Sequence, residues 1–262
     1  MPKVGVSILN YRAADRTISC VQSLLTAQMA AGVDAQLLIH VADNASGIGD
    51  FDSLRDALSG RPDVFLHRHE SNLGFAAGHN RNIERLFTAE SPDFVWLLNN
   101  DCSVEEGAVA ALLKCARSDP AIGIWGATLL EGDHETIQCA GGCFYNSWLS
   151  SYRQHGRGKP AALRAAFEPR TFSYIAGASL FIPAQVLEEG LKPPESLTPS
   201  ENESRSQWLN ETFFLYFEEL DLAQRLAPGL GLGWCRDALI IHIGGEGTET
   251  GGSQRSAQAE YH

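Results

Sequence analysis

A chain of 262 residues, 44% apolar and 20% charged, is long enough for one large α/β domain or two small ones and has the composition of a soluble globular protein. Thirty-two acidic against 20 basic residues leave a formal charge of −12, which argues against nucleic acid, whose phosphate backbone demands a basic face. A small anionic ligand stays open, because a bound divalent cation can supply local positive charge.

No run approaches the roughly 18–20 apolar residues of a membrane span. The opening M-P-K-V-G-V-S-I-L-N lacks the apolar core and cleavage site of a signal peptide, so a cytoplasmic location is the expectation. It reads as the first strand, residues 3–9, ending in Asn10-Tyr11-Arg12. Asp15 or Thr17 then caps a helix. Ile18, Val21, Leu25 and Met29 recur at helical spacing, which makes them its core face, and Gly32 ends it. A second strand, 36–42, finishes in D-N-A-S (43–46); a helix around 51–59 and a third strand, 64–67, follow.

Next comes N-L-G-F-A-A-G-H-N (72–80), running into a helix through Arg81, Ile83, Leu86 and Phe87. Two glycines between a strand and a helix N-terminus suit close backbone approach to an anion, although the spacing is not the G-x-G-x-x-G of dinucleotide sites. The fourth strand lies in D-F-V-W-L-L-N-N-D (93–101). Five apolar residues in a row suit a strand buried on both faces, and the run stops at Asn99-Asn100-Asp101. One carboxylate with amide oxygens beside it is hard-oxygen chemistry suited to Mg²⁺ or Mn²⁺; a plain turn closing the strand is the alternative. A helix over 104–117, with Glu105 and Glu106 in its first turn, precedes a strand at 122–130.

Strand and helix alternating four times point to a mostly parallel sheet wound by right-handed crossovers. Three strand ends on one edge (Asn10-Tyr11, Asp43-Asn44 and Asn99-Asn100-Asp101) then describe a site, since ligands of open α/β sheets sit at the carboxyl ends of the strands. After residue 131 the pattern changes. Residues 145–158, rich in Tyr, Trp, Ser and Gly, read as loops and edge strands, and 173–183 (S-Y-I-A-G-A-S-L-F-I-P) as a strand with small residues inside it. Residues 192–207, with three prolines, read as a surface excursion.

An aromatic strand at 213–217 is expected to run into Glu218, Glu219 and Asp221 and a helix. Clustered carboxylates raise one another's pKa, a common device for a general base; an acidic helix N-terminus is the competing reading. The last strand, 239–243, holds His242, a ligand or a satisfied core histidine, and the tail at 248–262 is Gly/Ser-rich and expected to be mobile. Six cysteines are scattered; only Cys139 and Cys143 are close, and no second pair completes a zinc site, so reduced, mostly buried thiols are expected.

Taken in order, V-S-I-L-N-Y-R, V-A-D-N-A-S, N-L-G-F-A-A-G-H-N, W-L-L-N-N-D, Y-I-A-G-A-S-L-F-I-P, F-F-L-Y-F-E-E-L-D-L-A-Q-R and I-H-I-G-G resemble the family 2 glycosyltransferases of the GT-A fold, in particular the bacterial rhamnosyltransferase-like branch. The resemblance spans residues 3–245. It implies a single GT-A domain: a mostly parallel, Rossmann-like central sheet flanked by helices, with a nucleotide-sugar half (1–130), a smaller mixed acceptor-side half (131–247) and a tail (248–262). It implies an inverting, metal-dependent transfer of a hexose, rhamnose in the branch it most resembles, from a dTDP-, UDP- or GDP-sugar to a hydroxyl of a glycan or lipid-linked glycan acceptor in surface polysaccharide synthesis. Residue by residue, Asn10 and Tyr11 would lie at the nucleotide, Tyr11 against the base, and Asp43 would accept from the base. Asn72, Gly74, His79, Asn80 and Asn100 would shape the nucleotide pocket. Asp101, with Asn99 and His242, would hold Mg²⁺ or Mn²⁺. Glu219 would be the catalytic base, with Asp221 second and Glu218 beside them.

Two positions depart from the family's pattern: Asn99 stands at the first Asp of D-x-D, and Glu219 replaces the usual Asp of E-D. They keep open a degenerate nucleotide-sugar-binding or scaffold relative. A sugar nucleotidyltransferase fits less well, for N-Y-R-A-A-D after the first strand has no glycine. Peripheral association with the inner face of the cell membrane and homo-oligomerisation are compatible with the resemblance, although no basic amphipathic helix marks a membrane-binding face.

Overall fold

The computed structural model describes residues 1–29, 34–168, 170–193 and 208–244. The apolar runs become strands: β1 (Lys3–Asn10), β2 (Gln36–Asp43), β3 (Val64–Arg68), β4 (Phe94–Leu98), β5 (Cys102–Val104), β6 (Ile122–Leu130), β7 (Ile137–Ala140), β8 (Gly142–Asn146), β9 (Ser151–Gln154), β10 (Tyr174–Ile175), β11 (Ser179–Pro183) and β12 (Gly231–His242). The helices are α1 (Ala14–Met29), α2 (Ile48–Leu58), α3 (Gly74–Ala89), α4 (Ala108–Ser118), α5 (Ala184–Glu189) and α6 (Glu218–Gln224), with a 3-10 turn at Ala161–Ala166.

Among the described residues, nine strands make one sheet in the order β3-β2-β1-β4-β11-β6-β12-β5, with β7 against β6; β10-β8-β9 form a small second sheet. The pairs β3/β2, β2/β1, β1/β4 and β6/β12 are parallel, as right-handed crossovers through helices require. β11 enters antiparallel between β4 and β6. Both faces are covered. The residues of α1, α2 and α4 pack with Val4, Val6, Ile8, Trp96 and Phe181 on one side; those of α3, α5 and α6 pack with Val95, Leu97, Leu180 and Ile182 on the other. Trp96 is fully buried, and its Nε1 donates to Ser179 Oγ (2.9 Å), tying β4 to the inserted strand. Its truncation to Ala would cost about 3–5 kcal/mol. No helix among the described residues is long and apolar enough to cross a membrane.

The helix faces and several boundaries differ from the sequence expectation. Met29 is 85% exposed; the buried stripe of α1 runs through Thr17, Cys20, Val21, Leu24 and Ala27. The helix starts at Ala14, so neither Asp15 nor Thr17 caps it; the Ala14 amide donates instead to Asp50 Oδ1 of α2 (3.3 Å). Glu105 and Glu106 precede α4, because Gly107, at φ 84°, turns the chain ahead of it. The 173–183 segment splits: β10 joins the small sheet, residues 176–178 turn, and β11 joins the large one. Residues 213–217 are no strand, for Tyr216 and Phe217 both take left-handed backbone (φ 72° and 70°) that a ladder cannot use. β12 begins at Gly231, eight residues before the expected strand, because its first half is glycine-rich and weak in pattern. Position 32, most of the 192–207 excursion and the tail lie outside the described residues.

Candidate active site

Three polar strand ends meet at the carboxyl edge of β1, β2 and β4. Asn10, buried, is the hub: its Nδ2 donates to Asp43 Oδ1 (2.8 Å), Ser46 Oγ (3.0 Å) and Asp50 Oδ2 (2.6 Å), and its Oδ1 accepts from Thr17 Oγ1 (2.7 Å). Thr17 in turn accepts from Asn100 Nδ2 (2.9 Å). This chain of bonds fixes the ends of β1, β2 and β4 relative to one another, because a buried amide is costly to leave unpaired. Asp43 is fully buried; Oδ2 accepts from the Ser46 amide (3.2 Å) and faces Arg68 Nε at 3.9 Å. Above this floor Tyr11 is 40% exposed, with the Arg12 guanidinium 5.0 Å from its ring centre.

The neighbouring N-L-G segment also folds inward. Asn72 Oδ1 accepts from the Gly74 amide (3.0 Å), and Asn44 Nδ2 donates to the Gly74 carbonyl (3.1 Å). Gly74 takes φ 76°, and a Cβ there would sit 2.5 Å from the Phe214 carbonyl, so only glycine lets the 213–217 segment close over this turn. Two residues expected at the nucleotide have their side chains held inside the fold. His79 is buried, bonded through Nδ1 to Ser7 Oγ (2.7 Å) beneath the sheet edge, and burial lowers its pKa to about 3. Asn80, equally buried, grips the backbone of Leu209 in both directions (2.8 and 2.9 Å) and donates to Glu211 Oε1 (3.0 Å). Both point into the fold because α3 turns that face to the sheet. Asn10 and Asp43 are likewise held internally and shape the floor; Tyr11, Asn72 and Asn100 retain exposed surface.

The end of β4 carries the second group. His242, the last residue of β12, is paired opposite Cys102 of β5, which brings its Nε2 within 3.2 Å of Asp101 Oδ1. That oxygen is buried without an aligned hydrogen bond. Asn99 lies beside the ring, Nδ2 to Nε2 3.5 Å. Burial pushes the Asp101 carboxyl up, but His242, a backbone amide and Arg16 outweigh it and hold it below the usual range. One oxygen of Asp101, one nitrogen of His242 and the Cys102 sulfur lie within 4.8 Å of one another. Burial keeps the Cys102 thiol protonated, and it faces the Ala178 carbonyl at 3.6 Å, which leaves carboxylate and imidazole as the donors. A buried oxygen lacking a donor, facing an imidazole nitrogen, fits a divalent cation such as Mg²⁺ or Mn²⁺.

The third group is the acidic pair. Glu218 and Glu219 open α6 immediately after the strained Tyr216-Phe217 step, and each has a buried Oε2 without a hydrogen-bond partner. Burial, then the charge of Glu219, pushes Glu218 up to about 8; burial also raises Glu219. Tyr174, Tyr152 and Tyr216 lie around them, and the charges of Glu218 and Glu219 help raise the Tyr216 pKa after burial. The turn at 176–178 links this pair to the metal-fit group: the Asn99 amide donates to the Ala178 carbonyl (3.0 Å), and Gly177 lies directly against Glu219. Asp221, the second candidate base, is engaged in an ion pair. Its Oδ2 accepts from Arg225 Nε (2.7 Å), and Arg225, buried, also donates to the Lys192 and Trp208 carbonyls. Asp221 therefore holds the segment that enters α6.

Thr17, Ser46 and Asp50 were not singled out for this site by sequence. Ser46 stood inside the D-N-A-S motif and Asp50 four residues on, so the motif was the available signal. All six cysteines are free thiols.

No protein-family model matches the chain, and no curated protein is significantly similar to it in sequence. Solved structures are similar in fold. A mannosyltransferase, PcManGT from Pyrobaculum calidifontis in complex with GDP-Man and Mn²⁺, superposes with a TM-score of 0.59 at 14% identity over 94% of this chain and 58% of that one. GalNAc-T7 with UDP, GalNAc and Mn²⁺ gives 0.59 at 12% identity over 92% and 44%. S. aureus TarS 1–349 gives 0.50 at 10% identity over 91% and 57%. The chain thus spans about half the length of these structures. Its mixed α/β sheet, mostly parallel and flanked by helices, is the GT-A fold that they share.

Proposed function

We propose that this chain is a glycosyltransferase that moves a sugar from a nucleoside-diphosphate donor to a hydroxyl of a glycan acceptor. The observation that carries the reading is the joining, through the 176–178 turn, of a cation-fit pair (Asp101, His242) to a solvent-shielded carboxylate (Glu219) at the carboxyl edge of the sheet. Three similar folds whose names include a mannosyltransferase with GDP-Man and Mn²⁺ support it. Residues 1–130 would receive the nucleotide, with Tyr11 against the base and Asn72 and Asn100 lining its path; 131–247 would receive the acceptor.

A divalent cation on Asp101 and His242, with Asn99 beside them, would neutralise the leaving diphosphate. Glu219 takes the proton of the acceptor hydroxyl as the glycosidic bond forms; its raised pKa brings it toward the operating pH. Glu218, largely protonated at neutral pH, spares Glu219 a second adjacent charge. Displacement by that hydroxyl inverts the anomeric centre through an oxocarbenium-like transition state. Tyr152, Tyr216 and Phe217, all exposed beside the pair, offer faces on which acceptor sugar rings stack. Rhamnose as the transferred sugar and surface polysaccharide as the product rest on the motif resemblance.

A degenerate binding relative is favoured by one observation, the single carboxylate left at the metal-fit group by Asn99. Thermal shift with dTDP, UDP and GDP, each with and without Mn²⁺, tests both readings, because ligand binding to the native state raises Tm. One nucleotide stabilising the chain, more so with Mn²⁺ and without metal sensitivity in Asp101→Ala, supports the site; donor hydrolysis with Mn²⁺ then separates enzyme from scaffold. No shift with any nucleotide overturns the proposal.

A further inference from the structure

Gln138 lies on β7, the strand that pairs with β6 off the main order of the large sheet. Along β7 and β6, Cys139 pairs with Leu129 and Ile137 with Leu130, so Gln138 is the unpaired residue of a β-bulge. Bulges re-aim a side chain out of the alternation of the strand. Here the side chain reaches the end of β12. His242 Nδ1 and Gln138 Oε1 are 2.6 Å apart. Gln138 Nε2 faces two acceptors, Glu131 Oε2 (3.3 Å) and the His242 carbonyl (3.4 Å). An amide nitrogen is the only end that can satisfy a carboxylate and a carbonyl, so Oε1 is the end that meets the ring.

The tautomer of His242 follows. An amide oxygen accepts and does not donate, so Nδ1 carries a proton, and in the neutral ring Nε2 keeps its lone pair, facing Asp101 Oδ1 at 3.2 Å and the Asn99 amide nitrogen at 3.5 Å. An imidazole nitrogen and a carboxylate oxygen this close are bridged by a proton or by a cation, and the neutral Nδ1–H ring is the form that takes the cation. Gly244, at φ 49°, closes over the contact; a Cβ there would lie 3.3 Å from Gln138 Nε2 and 3.4 Å from His242 Cε1.

Resting on the metal reading of the Asp101–His242 pair, we propose that Gln138, braced by Glu131, is the positioning residue that fixes His242 as its Nδ1–H tautomer and aims Nε2 into the cation site. Partners of this kind orient a ligating imidazole, and losing one weakens metal affinity about 10–100-fold.

The test uses the full chain with Mn²⁺ alone, titrated by loss of the free-ion electron paramagnetic resonance signal, and long-range ¹H–¹⁵N spectra of the imidazoles in the metal-free protein, with His242→Asn assigning the ring. Expected results are an Nδ1–H ring in the unsubstituted chain, and in Gln138→Leu a shift toward the Nε2–H form with Mn²⁺ bound about 10–100-fold more weakly. The reciprocal pair Glu131→Gln with Gln138→Glu keeps an acceptor on Nδ1 and a donor behind it, and should restore both readings. It also serves as the folded comparison if Gln138→Leu does not fold. An Nε2–H ring in the unsubstituted chain, or equal Mn²⁺ affinity in Gln138→Leu, or no restoration by the reciprocal pair, overturns the Gln138 proposal alone. No Mn²⁺ uptake by the unsubstituted chain overturns the metal reading and this proposal with it.

Discussion

Glu219 Oε1 rests against the backbone of Gly177, where a Cβ built on the glycine would lie 3.1 Å from the oxygen. Gly177→Ala therefore forces the carboxylate to yield by a few tenths of an ångström while leaving the surrounding core intact. Because misplacement of about 1 Å costs roughly 100-fold in rate, kcat should fall about tenfold with Tm almost unchanged. Paired kinetics and melting on the one variant check this; an equal loss in both would place Gly177 in stability rather than in aiming the base.

Glu219 and Asp221 should separate cleanly. Glu219→Gln removes the proposed base and should lower kcat by about 10²–10⁴, while its melting temperature holds or rises because a buried, raised-pKa carboxyl is lost. Asp221→Asn leaves the buried Arg225 guanidinium without its ion pair. Stability should drop by about 2 kcal/mol, several degrees in Tm for a chain of this size, with a smaller effect on kcat. The reverse ranking would reassign the base.

Glu218 makes stability pH-dependent in a defined direction. Its folded pKa of about 8 stands above the ordinary carboxylate value of 4.5, so the stabilisation of its neutral form is complete below about pH 4.5 and is lost as pH rises through about 8. His40 and His67, lowered to about 4 chiefly by burial, and His79, lowered to about 3, act at the other end. Their contribution is present above about pH 6.5 and is lost as pH falls through the range 4 to 3. Tm should peak between these limits, and Glu218→Gln should flatten the alkaline limb only. An unchanged alkaline limb would show that Glu218 is not the group responsible.

Asn99→Asp should place a second carboxylate beside Asp101 and His242. Added negative charge strengthens cation binding, so Mn²⁺ affinity should rise about tenfold, and Mg²⁺, which favours oxygen donors, should gain more. Calorimetric titration of both ions reads the ratio directly; a gain for neither would remove Asn99 from the cation's surroundings.

Much of this architecture can be read from residue pattern. Val95, Trp96, Leu97 and Leu98 are apolar without alternation because β4 is buried on both faces, and Asn99 marks its end because the chain must turn there. The 3.6-residue repeat of α1 was legible and its phase largely so: Val21 is buried and Ile18 and Leu25 pack against the core, while Met29 falls outside it. The centre of the buried stripe, through Thr17, Cys20, Leu24 and Ala27, was not legible, because it is the polar hub at Asn10 that draws Thr17 inward. Asp221 could have been recognised by its spacing to Arg225, four residues on and one helical turn away. Gln138 could not. A bulge leaves no mark in I-Q-C-A, and its partner lies 104 residues further along. The place of β11 was equally hidden, since strand order is set by packing between distant segments.

That insertion bears on how the chain is made. β4 pairs on one side with β1, already synthesised, but its other edge waits for residues 179–183. At a synthesis rate of about 5–20 residues per second, the interval between residues 98 and 179 lasts roughly 4–16 s. For that time a buried-type strand carrying Trp96 offers open amides and carbonyls to any passing β segment. Slowing translation across residues 99–178 should therefore lower the soluble yield of the full chain, while supplying the 179–183 strand early, by circular permutation ahead of residue 93, should raise it.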